Sequence, residues 1–451
     1  MFTSPEEVTA MIVLLPNCGF LSETSRMLAL AQALRARGEE VLLATRGGPY
    51  AAVLDQSGLD VVRLEPGSDD ADARRFLDAV LSMGLTDEPF YPPGVLRAAV
   101  DAEVELFART GAQIAVTGFT LSAYLSTRVA GIPLATSHGG SFVLPVLERG
   151  LAPVPVNPPR PEIGRLPRWV QRRMANLVPR LLTGCVAQLN EAADELGVEH
   201  VPNLAALMCG DLTLVTEAPE LLGIPQADLD AWRPRWPTRA RTGTSFRCTG
   251  PLFARLDLPV PERVDAFLAA NPGTVYLSPT SVHEPFLRDL VRCVQDAGAP
   301  VLVSATVHDV SDLEDERTLV AATLPNHLVM PRVAATVVMG GQGSVQSSLA
   351  AGTPLVGLPY HGEQELNVAV AARQGAAVAV SPRDVPGPAL TAAVRRVLSD
   401  PAYAAAASRV RDLYSRTDGA AAAADAILRH LGRPGSEGRV VVDAERPTLS
   451  E

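Results

Sequence analysis

With 451 residues, 47% of them apolar and 5% aromatic, the chain is too long for one ordinary core and suits two domains of similar size. A formal charge of −11 and a pI near 5.3 give it no general attraction for a polyphosphate backbone, which argues against nucleic acid as a partner. Five scattered cysteines, at 18, 185, 209, 248 and 293 with no CxxC pair, suit a reduced cytoplasmic setting and argue against structural zinc.

The opening MFTSPEEVTA is acidic where a secretory leader is basic. Met11–Pro16 reads as a buried strand, Met27–Arg37 as a helix closed by Gly38, and Glu40–Thr45 as the next strand. This βαβ unit predicts a parallel sheet with right-handed crossovers. Val61–Leu64, Ile114–Thr117 and Leu134–Thr136 extend it, with a helix over Ala123–Ala130. The apolar stretch Gln113–Pro133 is broken by Thr117, Ser122, Ser126 and Arg128, so integral membrane association is not expected. Pro153–Pro167 is rich in Pro and Arg and leads into an amphipathic basic helix over Trp169–Leu182. Leu212–Thr216 is a further strand, and Pro219–Thr249, with Trp232 and Trp236, reads as the connection between domains.

The second half repeats the theme. Strands are expected at Thr274–Leu277, Val301–Ser304, Val337–Val338, Leu355–Leu358 and Ala376–Val380. Helices are expected at Phe286–Ala297, Ser344–Ala351, Leu366–Gln374, Ala389–Leu398, Tyr403–Leu413 and Ala420–Leu431. The predicted organisation is an N-terminal domain over 1–218, a linker over 219–247, a C-terminal domain over 248–415, a last helix over 416–432 and a flexible tail over 433–451. Two such α/β halves make a cleft at the carboxyl ends of their strands. The loops at Asn17–Ser25, Ser137–Ser141, Ser278–His283 (with Thr280 and Ser281), Met339–Ser344 and Tyr360–Glu365 should face it.

The most informative segment is VVMGGQGSVQSSLAAGTPLVGLPYHGEQELN, Val337–Asn367. Gly340, Gly341 and Gly343 let the backbone turn sharply after a buried strand and leave bare amides, with Gln342 among them, at a helix start beside Ser344. Such an end is a ready anion site, and a pyrophosphate is the obvious guest. Glu363, Gln364 and Asn367 follow at a spacing that suits the vicinal hydroxyls of a sugar. A lone GGxGS would more often be only a tight turn; the joint pattern is more specific.

The segment resembles the donor signature of the UDP-glycosyltransferase family, in its bacterial branch that decorates antibiotics. That family reads HGGxGT, then ALxxGxP, then DQxxN. The matches here are Gly340, Gly341, Gly343 and Ser344, then Leu349, Gly352 and Pro354, then Glu363, Gln364 and Asn367. MLALAQALRARGEEVLLAT is similar to the family's first helix and second strand, and CTGPLF to its entry into the C-terminal domain. The resemblance implies a GT-B fold of two facing Rossmann-like domains, with a last helix packing back across the N-terminal one. It also implies inverting transfer of a sugar from a UDP- or dTDP-sugar to a small natural-product acceptor. No cofactor beyond that co-substrate is expected. No metal is expected either, since Asp69, Asp70 and Asp72 lie in a polar surface stretch. A homodimer is one assembly left open.

The chain departs from the family at three places. The family His before the glycines is Met339, which cannot donate to phosphate. The stretch Asn326–Met339, where the family places a base-stacking loop, is short, and Arg332 is the candidate to stack on a base. The family's catalytic His falls at Ser22–Glu23, and its helper Asp at Thr117–Gly118. Glu23 and His138 are the candidates for the base, with equal weight. Glu23 also suits the positive end of the first helix, and His138 suits an ordinary loop role. His283 and His361 are further cleft histidines. The arginines at 160, 165, 168, 172, 173 and 180 could steer an anionic acceptor, touch a membrane surface or form a solvated face. Two other functions remain open: a degenerate transferase that binds without turnover, and a sugar-nucleotide epimerase using carboxylates such as Glu23, Glu284 and Glu363.

Overall fold

The computed structural model describes residues 11–82, 89–141, 143–236, 238–252, 258–279, 282–305 and 309–433. Short runs of Val, Ile, Leu and Ala, buried on both faces, form two wholly parallel sheets, the composition such sheets require. The first contains β1 (Met11–Leu14), β2 (Glu40–Thr45), β3 (Val61–Arg63), β4 (Ala112–Thr117), β5 (Leu134–His138), β6 (Leu212–Val215) and β7 (Ser245–Cys248). Its order is β3-β2-β1-β4-β5-β6-β7. The second contains β8 (Val275–Leu277), β9 (Val301–Ser304), β10 (Thr318–Ala321), β11 (Ala335–Val338), β12 (Leu355–Gly357) and β13 (Ala377–Ala379), in the order β10-β9-β8-β11-β12-β13. Each order reverses once, between β1 and β4 and between β8 and β11. These are the switch points where open α/β sheets offer a crevice.

Two strands escaped the sequence reading, β7 and β10. β7 pairs with β6, so the stretch expected as a linker over 219–247 instead carries two short helices, Pro219–Leu222 and Gln226–Asp230, and most of the last strand of the first sheet. The N-terminal domain therefore runs to Cys248. The chain crosses at Thr249–Leu252 and returns at Arg416–Asp418, and the two crossings lie side by side: Gly419 abuts the Pro251 carbonyl so closely that a Cβ would not fit. The final helix, Gly419–His430, buries Ala423, Ala424 and Ile427 against Met27, Leu30 and Leu34 of the N-terminal domain, with Arg37 paired to Asp425 at 2.7 Å. The expected tail lies, from 434 onward, outside the described residues.

On one side of the cleft the domains share an apolar cluster. Leu144, Leu221 and Leu222 meet Val345, Leu366 and Tyr414 there. That contact fixes how the two switch points face each other.

Candidate active site

β11 delivers the chain to the glycines. Met339 is buried among Val337, Val356 and Leu358, so it packs the sheet and does not reach the cleft. Gly340 has φ 88°, and a Cβ there would press on Val368 and Gln364 at 2.9–3.0 Å, so the turn needs glycine twice over. Gly341 caps the Gln342–Ala351 helix without a side-chain acceptor. The first intrahelical bond is Val345 N–H to Gly341 C=O at 3.1 Å, which leaves the amides of Gln342, Gly343 and Ser344 without a partner inside the helix. The Gly362–Arg373 helix clamps this loop. Asn367 Nδ2 donates to the Gly340 carbonyl at 3.0 Å and to Glu363 Oε1 at 3.2 Å, and Gln364 Oε1 accepts from the Tyr360 amide at 2.8 Å. Asn367 and Gln364, expected to hold sugar hydroxyls, are thus engaged in shaping the loops; Glu363 stays half-buried at the rim.

A second helix start faces the first. The Leu21–Arg35 helix begins at Phe20, again without a side-chain cap, and its first intrahelical bond is Thr24 N–H to Phe20 C=O at 3.0 Å. A Cβ at Gly343 would stand 3.8 Å from the Ser22 Cβ. Two helix starts from opposite domains therefore lie side by side, each with amides that its own helix leaves unpaired, and ends of this kind attract anions.

Glu23 is not free to act as a base. It is fully buried; Oε1 accepts from the Gly118 and Phe119 amides at 2.8 and 2.9 Å, and Oε2 takes Arg26 Nη2 at 3.3 Å. Burial pushes its pKa up against the pull of Arg26 and those amides. A side chain at Gly118 would overlap the Glu23 carboxylate. The two family departures on this side are therefore one: an acid at 23 requires the absence of one at 118. Glu23 ties the β4 end to the first helix and neutralises Arg26.

Arg26, which the sequence reading passed over, continues across the cleft. Its Nη1 donates to Gln342 Oε1 at 2.7 Å, and Gln342 Nε2 donates to the Thr216 carbonyl at 3.0 Å and to its hydroxyl. Gln346 Nε2 reaches the same carbonyl at 2.6 Å and Glu217 Oε2 at 3.2 Å; Tyr414 Oη closes the chain on Glu217 Oε1 at 2.7 Å.

His138 ends β5 and is 4% exposed. Its ring bonds the Gly118 backbone and stands edge-on to Phe119, with centroids 5.1 Å apart. Nε2 is buried without a partner, so the proton belongs on Nδ1, against the Gly118 carbonyl, and the Nε2 lone pair is open. Burial, and next to it Arg26, push the pKa down to about 3. The following residue, Gly139, lies against Gln342, where a Cβ would sit 3.0 Å from its amide carbon.

The remaining candidates fall away from this centre or beyond view. Arg332 precedes β11, at the opposite end of the strand from the glycine loop, and pairs with Asp265; it cannot reach a donor held by the loop, which corrects that expectation. Thr280 and Ser281 lie outside the described residues. His361 caps the Gly362–Arg373 helix with Nδ1 buried and unpartnered, and burial lowers its pKa. His283 is exposed ahead of the Glu284–Asp296 helix.

Beyond the carboxyl ends of β1 to β3 lies a cavity of about 40 Å³ lined in part by Arg46, Asp72, Phe76, Phe90, Tyr91 and Glu103. Glu103 is fully buried and accepts from the Ser122 and Ser126 hydroxyls at 2.5 Å each; burial raises its pKa to about 7. Its signal was available. On the Val95–Thr110 helix it falls in the stripe Leu96, Val100, Glu103, Phe107, where an acid has no place unless it is bonded.

Comparison with known proteins bears on the family and the fold. The family described as UDP-glucoronosyl and UDP-glucosyl transferase matches residues 230–418. The vancomycin aglycone glucosyltransferase of Amycolatopsis orientalis is 27% identical over 98% of this chain and all of its own. A PGL/p-HBAD biosynthesis rhamnosyltransferase of Mycobacterium bovis is 27% identical over 74% of this chain and 70% of its own. Among solved structures, the glycosyltransferase VinC in complex with DTDP superposes with a TM-score of 0.61, at 16% identity, over 92% of this chain and 98% of that one, a likeness of fold.

Proposed function

We infer that this chain, a glycosyltransferase of GT-B fold related to the bacterial UDP-glycosyltransferases of natural-product assembly, carries a sugar from a nucleoside diphosphate to the hydroxyl of a small acceptor with inversion. The observation that carries the reading is the pair of uncapped helix starts facing each other at Ser22 and Gly343. Their amides, with Arg26 behind them, are fixed before the reaction and match the charge that gathers on a departing diphosphate. Those donors supply the neutralisation a metal would otherwise provide.

In this reading His138 is the base. Its Nε2 takes the acceptor proton as the acceptor oxygen attacks the anomeric carbon; the bond from that carbon to the phosphate oxygen breaks on the opposite face, and the pair of electrons leaves with the diphosphate. A pKa near 3 keeps the ring neutral and ready, though weakly basic. A diphosphate in the cleft offsets Arg26 and raises that pKa when the base is needed. Glu363 is assigned to the rim where the sugar would lie.

The Gln342 bridge from Arg26 to Thr216 holds the cleft shut and favours one second reading, a relative that binds without turnover. The epimerase reading loses its carboxylates: Glu23 is sealed, Glu284 pairs with Arg288, and Glu363 bonds Asn367. A panel of UDP- and dTDP-sugars, screened first by thermal shift and then for transfer, tests the proposal. His138→Ala should bind donor as the parent does and lose about 10²–10⁴-fold in kcat. Undiminished turnover would remove His138 from the mechanism, and a donor bound but never consumed would favour the second reading.

A further inference from the structure

The basic helix has no part in the cleft chemistry above, and its surface is unusual. Among the described residues ten large apolar side chains are exposed, and Leu166, Trp169, Val178, Leu181 and Trp236 are five of them. Trp169 is 71% and Trp236 93% exposed. Around the Arg168–Leu177 helix, Val170, Met174, Leu177, Val178 and Leu181 follow a helical stripe along a shallow apolar groove of about 320 Å³. Arg180 Nε donates to Thr238 Oγ1 at 2.7 Å, which holds the Trp236 segment beside the end of that stripe.

The charge around it is mostly positive, with Glu148 accepting from Trp232 Nε1 and the Arg235 amide at 2.8 and 3.0 Å. Residues 160–181 hold six arginines and one acid, Glu162, and residues 231–239 hold three exposed arginines and no acid, in a chain whose net charge is −11. Arg165, Arg168 and Arg173 are exposed, and none pairs with a carboxylate among the described residues. An acidic protein that gathers unanswered guanidinium groups around exposed indoles presents the two features an anionic bilayer selects: cations for lipid phosphates and amphipathic rings for the interface. No helix of the described residues is long and apolar enough to cross a membrane, so such contact would be peripheral.

We propose that this face docks the protein on an anionic phospholipid surface, with Trp169, Leu181 and Trp236 at the headgroup boundary and the arginines on phosphates. The segment that leads into the helix also reaches the other domain. The Asn157 amide donates to Glu365 at 2.8 Å, and the Leu151 carbonyl accepts from Arg373 at 3.4 Å, both on the Gly362–Arg373 helix that clamps the glycine loop. Docking through this face would therefore place the lipid surface beside a segment that touches the helix clamping the glycine loop.

The test is sedimentation of the full chain with phosphatidylglycerol–phosphatidylcholine vesicles against vesicles of phosphatidylcholine alone. Binding is expected only to the anionic vesicles, with a blue shift of tryptophan emission and release at high salt. R165E/R168E/R173E should lower the partition coefficient by at least roughly tenfold. W169S/L181S/W236S should lose the blue shift. Both variants carry only exposed substitutions, and an unchanged melting point verifies their fold. Absence of binding to anionic vesicles, equal binding to neutral ones, or an unaltered partition in the triple variant overturns the proposal. Self-association abolished by the same substitutions, without lipid binding, assigns the face to a second copy and overturns it equally.

Discussion

Gly343→Asp isolates the electrostatic core of the proposed donor site. The position is helical, and a Cβ meets only the Ser22 Cβ at 3.8 Å, an ordinary contact, so the backbone accepts a side chain. A carboxylate in the first helical turn should leave the unliganded protein unchanged or stabilise it, by about 0.3–1 kcal/mol from the helix dipole. If a diphosphate occupies the proposed site, the same carboxylate would face it, and a separation of about 5–6 Å sets the scale of the repulsion. Against two charges the repulsion is about 1.5 kcal/mol in a water-like medium and about 6 kcal/mol at an effective dielectric of about 20. Donor affinity should therefore fall by at least about tenfold and by as much as about ten-thousandfold. Titration calorimetry with UDP and dTDP at low and high salt reads the loss, which should shrink as salt screens it. Gly343→Ala is the steric control and should keep donor affinity within a few fold. If the Asp variant binds as tightly as the parent, or the Ala variant as weakly as the Asp variant, the anion does not sit between these helix ends.

Glu23→Gln should leave the buried Arg26 guanidinium without its counter-charge and destabilise the fold by about 3–5 kcal/mol, read as a lower denaturation midpoint. A normal midpoint with kcat lost would restore Glu23 as the base. For Glu103, the folded pKa of about 7 stands above the unfolded value of 4.5, so the folded state keeps a proton the unfolded state gives up. That contribution is complete below the unfolded pKa and fades as pH rises through the folded one, by about 3 kcal/mol in all. Glu103→Gln should remove this decline from the melting profile; an identical slope would contradict the buried, protonated carboxyl. His138 acts in the opposite sense: with a folded pKa near 3 below the usual 6.5, its contribution is present at neutral pH and is lost as pH falls from there toward 3. The Ala variant should show less acid sensitivity than the parent.

What the sequence revealed about the site depended on how local the physics is. The glycine turn was legible because each glycine answers a constraint set within a few residues: a left-handed φ at Gly340 and an uncapped helix start at Gly341. β7 was hidden because Pro and Arg surround it, and as the edge strand of its sheet it carries no clean apolar run. Arg332 was misplaced by an error that strand polarity corrects: residues before a parallel strand lie at its amino end, away from the cleft. Asn367 Nδ2 and Gln364 Oε1 also bond backbone groups 27 and 4 residues away along the chain, respectively, a structural role that the local pattern did not reveal.

The charged pair in the first helix shows what a stricter reading would have found. Glu23, Arg26 or Met27, Leu30 and Leu34 lie on one buried stripe, so the pattern sets two opposite charges in line with the core. Charges on such a stripe must be paired and bonded, and a partner for the acid had to be sought on the loops that meet the helix start. Gly118, after β4, was the visible counterpart, because glycine in place of an acid leaves both the space and the amide that a buried carboxylate needs. Read together, positions 23 and 118 argue for a relocated structural acid, which is why the proposed mechanism gives the base to His138, whose Nε2 is unpartnered.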